Sequence, residues 1–329
     1  MPISDRITTL VIAPTEPRAA IAVQPALNLW KHKYPLGSIT VLANTRVATV
    51  FKLIPEVSEV ISVPNALLGD MGKIALFQRL RQRPFTHCFQ LATGSRASAL
   101  GALLNINQRH QPNANWLNDI YASGDSAALS RQFAALMIGI TERVKTPADL
   151  PIELPAPVLR ADAVWQRRAL EKMGIPTLWV GEQSIRPVQP LFLLHGGTAA
   201  TLSAAIASAI LARWSSAQVA LICHPRTMQT LSLPAAPQVA ANITFFGAPA
   251  IADTLALLAS ATAVISADEF AIQASAAFMT PTVFIPNGSL KASHSSRRRL
   301  SSLLPSDIIA NLERVLRFDG SSANIHRVS

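Results

Sequence analysis

The sequence contains little cysteine, few aromatic residues and no long apolar run, and each shortage excludes a class of protein. Its two cysteines, Cys88 and Cys223, lack the paired spacing of a zinc site or a redox motif. Aromatic residues make up 6% of the chain and do not alternate with a basic stripe, which argues against a nucleic-acid partner. No apolar stretch is long and uninterrupted enough to span a bilayer. We therefore expect a reduced, cytoplasmic protein without a metal site.

A glycine-rich phosphate loop is also missing. The segment TLVIAPTEPRAAIAVQPALNLWKHKYP, residues 9–35, predicts a buried strand, a short loop and a helix, the usual opening of a nucleotide-handling α/β domain. No G-x-G-x-x-G motif follows the strand, so an NAD-dependent enzyme is disfavoured. The loop between the strand and the helix therefore needs a different explanation.

Positive charge is in excess. The formal net charge is +10 and the sequence pI is about 10.4, which favours acidic partners such as phosphorylated sugars or an anionic membrane surface. One basic run consists of Arg297, Arg298 and Arg299. Such a run is usually a solvated face; the alternative is a contact with anionic lipid headgroups, which would make the protein peripheral at the inner membrane.

Strand-like and helix-like segments alternate through both halves of the chain, which predicts an α/β fold with parallel strands and crossover helices. Four prolines lie within residues 146–158, a composition that forms neither a helix nor a central strand. This stretch places a domain boundary there and predicts domains 1–150 and 151–329. A closing helix over 308–316, capped by Ser306 or Asp307, could pack on either half. The predicted strands are 8–13, 38–43, 60–63, 86–91, 191–195, 219–224, 243–246, 263–266 and 282–285.

Six segments, spread over most of the chain in a fixed order, resemble a known family. They are ALNLWKHKYP, LIPEVSEVISVP, FTHCFQLATGSRASALGALLNI, WLNDIY, DLPIELP and AVISADEFAIQASAAFMTPTVFIPNG. The family is the ADP-heptose:lipopolysaccharide heptosyltransferases of glycosyltransferase family 9. The resemblance implies a GT-B fold of two Rossmann-like domains facing across a cleft. It also implies an inverting sugar transfer from ADP-heptose to an acidic lipopolysaccharide core acceptor, without a cofactor, with the acceptor on the first domain and the nucleotide sugar on the second.

The loop after the first strand departs from the family pattern. There the family has a Gly-Asp pair whose aspartate is the expected general base, whereas this sequence has Arg18 and Ala19. A methyl group cannot accept a proton. Glu16 is a weak substitute, because Pro17 stiffens the loop between the two positions. Glu16 and Arg18 could each be a solvated charge, and the alternative for Arg18 is a contact with the acidic acceptor.

The turn after the strand 191–195 is a second departure. The family has a Pro-Gly turn followed by a lysine that meets the donor's phosphates; this sequence has Gly196, Gly197 and Thr198 without the lysine. Backbone N–H groups of these three residues could bind an anion at the start of the next helix. A plain tight connection between strand and helix is the simpler explanation of the same residues.

The donor loop is the third departure. Asp268 matches the family's pattern and could cap a helix, contact a donor hydroxyl, or do both. Phe270 replaces a glycine that allows close approach to the ligand, and Gln273 replaces a histidine, which keeps hydrogen bonding but loses a possible positive charge. His195 and His224 end neighbouring predicted strands, and we interpret both as structural.

Arg96 is better retained, since the family commonly has a basic residue at this helix start, on the acceptor side. Its guanidinium suits phosphate or carboxylate groups, although a solvated first-turn arginine is the simpler alternative. Two functions stay open at this point. One is a heptosyltransferase-like glycosyltransferase of lipopolysaccharide core biosynthesis, impaired or inactive because of Ala19. The other is a non-catalytic pseudoenzyme that serves as a binding or assembly partner in cell-envelope biosynthesis.

Overall fold

The chain forms two compact units, Met1–Arg160 and Ala161–Ser329, in the computed structural model. Among the residues that the structure describes, each unit contains its own five-stranded sheet. The described residues are 7–64, 76, 78, 80–92, 106, 108–110, 126–142, 153–181, 184–195, 200–223, 241–285 and 304–318.

The sheet of the first unit is parallel throughout. Its strands are β1 (Thr8–Ile12), β2 (Ser38–Asn44), β3 (Glu59–Val63), β4 (His87–Gln90) and β5 (Gln108–His110). They lie in the order β3-β2-β1-β4-β5. The chain adds β2 and β3 on one side of β1 and then β4 and β5 on its other side, so the strand order reverses between β1 and β4. The central strands β1 and β2 are buried almost completely, as expected for apolar runs covered on both faces.

The described part of the first unit contains the helices α1 (Pro17–Lys33), α2 (Thr45–Lys52) and α3 (Ser126–Glu142). α2 begins where the Asn44 side chain accepts a hydrogen bond from the Val47 N–H at 3.0 Å. α3 packs against α1 and was not predicted from the sequence. Its Leu129, Phe133 and Met137, spaced four residues apart, are at most 1% exposed and form its buried stripe.

The first unit ends at Arg160, ten residues later than the predicted boundary, and includes the end of the proline-rich stretch. The Val158 N–H donates to Gln24 Oε1 at 3.1 Å, and the Arg160 N–H donates to the Leu53 carbonyl at 2.8 Å. Leu159, between them, is 4% exposed. These bonds tie the end of the stretch to α1 and to the end of α2, which is why the unit extends to residue 160.

The second unit opens with a helix and a hairpin. α4 (Ala163–Lys172) starts at Asp162, whose carboxylate accepts from the Trp165 N–H at 2.9 Å. The antiparallel pair β6 (Thr177–Val180) and β7 (Ser184–Pro187) follows, and it was not predicted. Gly181, with a φ of 67°, adopts the left-handed conformation in the turn between the two strands.

A second parallel sheet repeats the strand order of the first. Its strands are β8 (Leu191–His195), β9 (Gln218–Cys223), β10 (Ile243–Gly247), β11 (Ala263–Ser266) and β12 (Thr282–Phe284). They lie in the order β10-β9-β8-β11-β12, which reverses between β8 and β11. Its other helices are α5 (Ala200–Arg213), α6 (Ile251–Ser260), α7 (Glu269–Ala277) and α8 (Pro305–Phe318). Both units therefore have a Rossmann-like arrangement.

The closing helix α8 starts at Pro305, three residues before the predicted start. Asp307 does not occupy the N-cap position; instead its carboxylate accepts from the Leu304 N–H at 3.3 Å, one turn back. Ile308 and Leu312 are buried in the core of the second unit, beside α5 and β12. Within the residues that the structure describes, no helix is both long and apolar enough to cross a membrane.

Candidate functional site

The strand order of the second unit predicts a ligand site at the carboxyl ends of β8 and β11. In open α/β sheets, ligands bind outside these ends at the point where the strand order reverses. β8 and β11 pair in parallel, and His195 lies opposite Ser266 in their register. His195 and Asp268, which are far apart in the sequence, therefore lie at the same edge of the sheet.

Ser266 joins the two strand ends. Its side chain is 1% exposed, and its hydroxyl donates a hydrogen bond to the His195 carbonyl at 2.8 Å. The same oxygen accepts the Asp268 N–H at 2.9 Å. One buried hydroxyl thus bonds to the backbone of both residues and links the ends of the two strands.

Asp268 caps α7. Its backbone is extended (φ −88°, ψ 125°), and its Oδ1 accepts the Ala271 N–H at 2.9 Å, so it satisfies an N–H group that would otherwise lack a helical partner. The Asp268 side chain is also 42% exposed. A capping carboxylate has further lone pairs, so capping and contact with a sugar hydroxyl are compatible. The donor contact itself stays a prediction.

His195 is a neighbour of Asp268 that the sequence did not reveal. Its Nδ1 lies 3.9 Å from Asp268 Oδ1, and its side chain is 14% exposed. Burial lowers the pKa of His195 below its usual value, while the nearby Asp268 carboxylate and the residue's own backbone oppose this effect. Nδ1 is buried without a hydrogen-bond partner among the described residues. The strand order of a Rossmann-like sheet was the signal that could have placed His195 beside Asp268.

The other two donor-loop residues lie on α7. Gln273 is half-buried, and its Oε1 is a buried acceptor for which the described part of the chain offers no donor. Phe270 is also half-buried, in the first turn of α7. An unsatisfied amide oxygen fits a residue that receives a hydrogen bond from a ligand, and the donor contact of Gln273 stays a prediction.

The expected base position lies in a different environment. Ala19 is the third residue of α1 and is fully buried. Glu16 is exposed and occupies the N-cap position, but its side chain makes no capping hydrogen bond, and Pro17 begins the helix. Arg18 is half-buried in the first turn. Of these three positions, Glu16 is the one with an exposed carboxylate.

Several predicted site residues lie outside the described residues: Gly196, Gly197, Thr198, Arg96, His224 and the run Arg297, Arg298 and Arg299. No group of three or more potential metal ligands occurs among the residues that are described. Burial raises the pKa of the Cys88 thiol to about 12, so this thiol is protonated at neutral pH and is a poor nucleophile.

No protein-family model and no curated protein matches the sequence. Solved structures do resemble it. ADP-heptose LPS heptosyltransferase II of E. coli has a TM-score of 0.69 at 18% identity, and the match covers 95% of this chain and 99% of that one. The glycosyl transferase family 9 protein of Veillonella parvula has a TM-score of 0.68 at 12% identity, with coverage of 97% and 99%.

A third similar structure is E. coli heptosyltransferase WaaC with ADP-2-deoxy-2-fluoro heptose. Its TM-score is 0.61 at 14% identity, and the match covers 94% of this chain and 99% of that one. Identities this low establish the fold and leave activity to be argued from the site. The chain has the two-domain GT-B fold of the glycosyltransferase family 9 heptosyltransferases.

Proposed function

We propose that this chain is a heptosyltransferase-like glycosyltransferase of lipopolysaccharide core biosynthesis that binds ADP-heptose and transfers the sugar slowly. The observation that carries the proposal is Asp268, which lies at the switch point of the second sheet, caps α7 and keeps an exposed carboxylate. A sugar hydroxyl can donate to that carboxylate without displacing the helix cap. Gln273 and the backbone N–H groups of Gly196, Gly197 and Thr198 complete the proposed donor site.

The proposed slow transfer follows from the lack of a general base at the expected position in the first unit. Removing a general base typically reduces the rate by about 10² to 10⁴, and the expected base position holds the buried Ala19. Glu16 is the proposed substitute, since its carboxylate is exposed at the start of α1. Arg18 and Arg96 are the proposed contacts for the acidic acceptor, and Arg297, Arg298 and Arg299 for anionic lipid.

A non-catalytic binding or assembly partner in envelope biosynthesis is the second candidate. Ala19 favours it, because a buried methyl group leaves no carboxylate at the expected position. Phe270 favours it as well, since a half-buried phenyl ring stands where close approach to a ligand requires a glycine. Such a protein would bind its partner without turning over ADP-heptose.

Calorimetric titration with ADP and ADP-heptose tests the proposal. We expect saturable binding to the wild-type protein, and binding of ADP-heptose that is about 10- to 100-fold weaker in the Asp268→Ala variant. This range corresponds to the loss of a hydrogen bond to a charged group, roughly 1.5–3 kcal/mol. The reason is that the alanine removes the acceptor for the sugar hydroxyl.

The matched control is Asp162→Ala in the same unit. Asp162 caps α4 as Asp268 caps α7, each accepting a backbone N–H at 2.9 Å, so both variants lose an equivalent cap. The control should bind ADP-heptose like the wild type. No saturable heat at about 1 mM nucleotide would refute the donor site, and binding without sugar transfer to any lipopolysaccharide acceptor would support the second candidate.

A further inference from the structure

A buried ring nitrogen, for which the described residues provide no hydrogen-bond partner, lies beside the exposed carboxylate of the candidate site. His195 Nδ1 is inaccessible to solvent and accepts or donates no hydrogen bond among the described residues. In a neutral imidazole, this nitrogen carries either a lone pair or an N–H group, and either is costly when buried unpaired. Native structures rarely retain such a group without a reason.

The distance to Asp268 is too long for a hydrogen bond and short enough for an electrostatic interaction. Nδ1 and Asp268 Oδ1 are 3.9 Å apart, whereas a charge-assisted N–H···O bond spans about 2.7–2.9 Å. The Ser266 hydroxyl links the backbones of His195 and Asp268, since it donates to the His195 carbonyl and accepts from the Asp268 N–H. A side-chain movement of about 1 Å would therefore close the pair.

We infer that His195 is a positioning residue that takes up a proton when a nucleoside diphosphate binds at this edge, and then pairs with Asp268. The inference rests on the proposed donor site. The proton comes from solvent and adds to the imidazole, with no other bond made or broken. The resulting imidazolium orients the Asp268 carboxylate through one ring nitrogen and offers the ligand's phosphates a positive charge.

The charge of the ligand explains why binding would drive this protonation. In the unliganded protein, burial favours the neutral imidazole, and the single carboxylate of Asp268 only partly opposes it. A diphosphate adds further negative charge close to the ring, which stabilises the imidazolium. Because binding and protonation then favour each other, the ligand should bind more tightly where His195 protonates more easily.

Other ionisable groups on the described elements packed against β8 do not replace His195 in this role. Cys223 ends β9, and burial raises the pKa of its thiol, so it carries no charge at neutral pH. On α6, Asp253 binds Lys172 at 3.0 Å. On α5, Arg213 pairs with Glu313. Glu269 is exposed at the start of α7 and, as a carboxylate, cannot supply a positive charge.

Calorimetry in two buffers with different ionisation enthalpies, such as Tris and HEPES at about pH 7, measures the proton uptake. With ADP as the probe, we expect the apparent binding enthalpy of the wild type to differ between the buffers in the direction of proton uptake. His195→Gln should abolish this difference and weaken ADP binding about tenfold, because the glutamine cannot become charged. His32→Gln, at an exposed position of α1, should retain both the difference and the affinity.

A second measurement tests the pair without any ligand. In the unliganded protein, the NMR titration of the His195 ring should move to lower pH in Asp268→Asn, which keeps the helix cap but removes the charge. An unmoved titration would overturn the pairing, even if His195→Gln failed to fold. ADP binding with equal enthalpy in both buffers would overturn the inference and leave the proposed function intact, whereas an absence of ADP binding would overturn both.

Discussion

At the scale of single residues, burial decides what a position can do chemically. Ala19 occupies the position at which the family resemblance predicts a general base, but its methyl group is fully buried in the first turn of α1. Its neighbours Ala20 and Ile21 are also fully buried. The sequence shows that residue 19 carries no carboxylate, and the structure adds that this residue is buried in the core.

Ala19→Asp should therefore destabilise the protein instead of restoring sugar transfer. A carboxylate buried without a partner costs roughly 3–5 kcal/mol, far more than the small benefit of an acidic residue in a first helical turn. Urea unfolding measures the loss. Arg46→Asp, at an exposed first-turn position of α2, is the control and should change stability by less than about 0.5 kcal/mol. A stable Ala19→Asp variant with faster transfer would contradict the assignment.

At the scale of elements, the amphipathic helix α8 shows how one face attaches a helix to its unit. Ile308 and Leu312, four residues apart, lie on the core of the second unit at 1% and 0% exposure. Ser306, Asp307 and Arg314 are exposed. The capping residues Ser306 and Asp307 predicted this helix, but only the packing shows which unit it covers.

Leu312→Ala should cost about 2–5 kcal/mol, because it removes buried methyl groups and leaves a cavity. Hydrogen exchange measured by mass spectrometry should show faster exchange in β8, β9 and β12, with β1 and β2 unchanged, since the two units have separate cores. Arg314→Ala, on the exposed face of α8, should leave exchange as in the wild type. Equal acceleration in both sheets would argue against independent cores.

At the scale of the whole molecule, buried and half-buried histidines make stability depend on pH. Burial lowers the pKa of His87, His110 and His195 below the ordinary value of 6.5. His87 and His110 stack with ring centroids 6.3 Å apart, and His87 also lies against Trp30. Each ring is therefore neutral in the folded protein at pH values where the unfolded chain would already bind a proton.

The protein should be most stable above pH 6.5 and lose stability as the pH falls below that value. The unfolded chain binds more protons there, and each histidine contributes at most about 1.4 kcal/mol per pH unit. Urea midpoints between about pH 7.5 and pH 5 measure the effect. His110→Gln should reduce the slope, and His32→Gln should not, because His32 is exposed. A midpoint independent of pH would refute the prediction.

Much of the fold followed from local patterns. The apolar runs of β1 and β8, the periodic helix α6 and the Asp268 cap could each be predicted because neighbouring residues alone determine them. The hairpin β6–β7 was missed because each strand is only four residues long, too short for a periodic pattern to stand out, although β7 does alternate exposed and buried residues. The helix α3 was missed although its apolar residues have the helical period, so the sequence did contain that signal.

The sequence by itself determined two units of alternating strands and helices, a positive net charge and the absence of a carboxylate at residue 19. Only the tertiary structure decided that His195 lies 3.9 Å from Asp268, that Ala19 faces the core and that residues 153–160 belong to the first unit. The physical reason is that local propensity specifies each strand, whereas the strand order places β8 beside β11. Contacts between residues far apart in the chain arise only from that order.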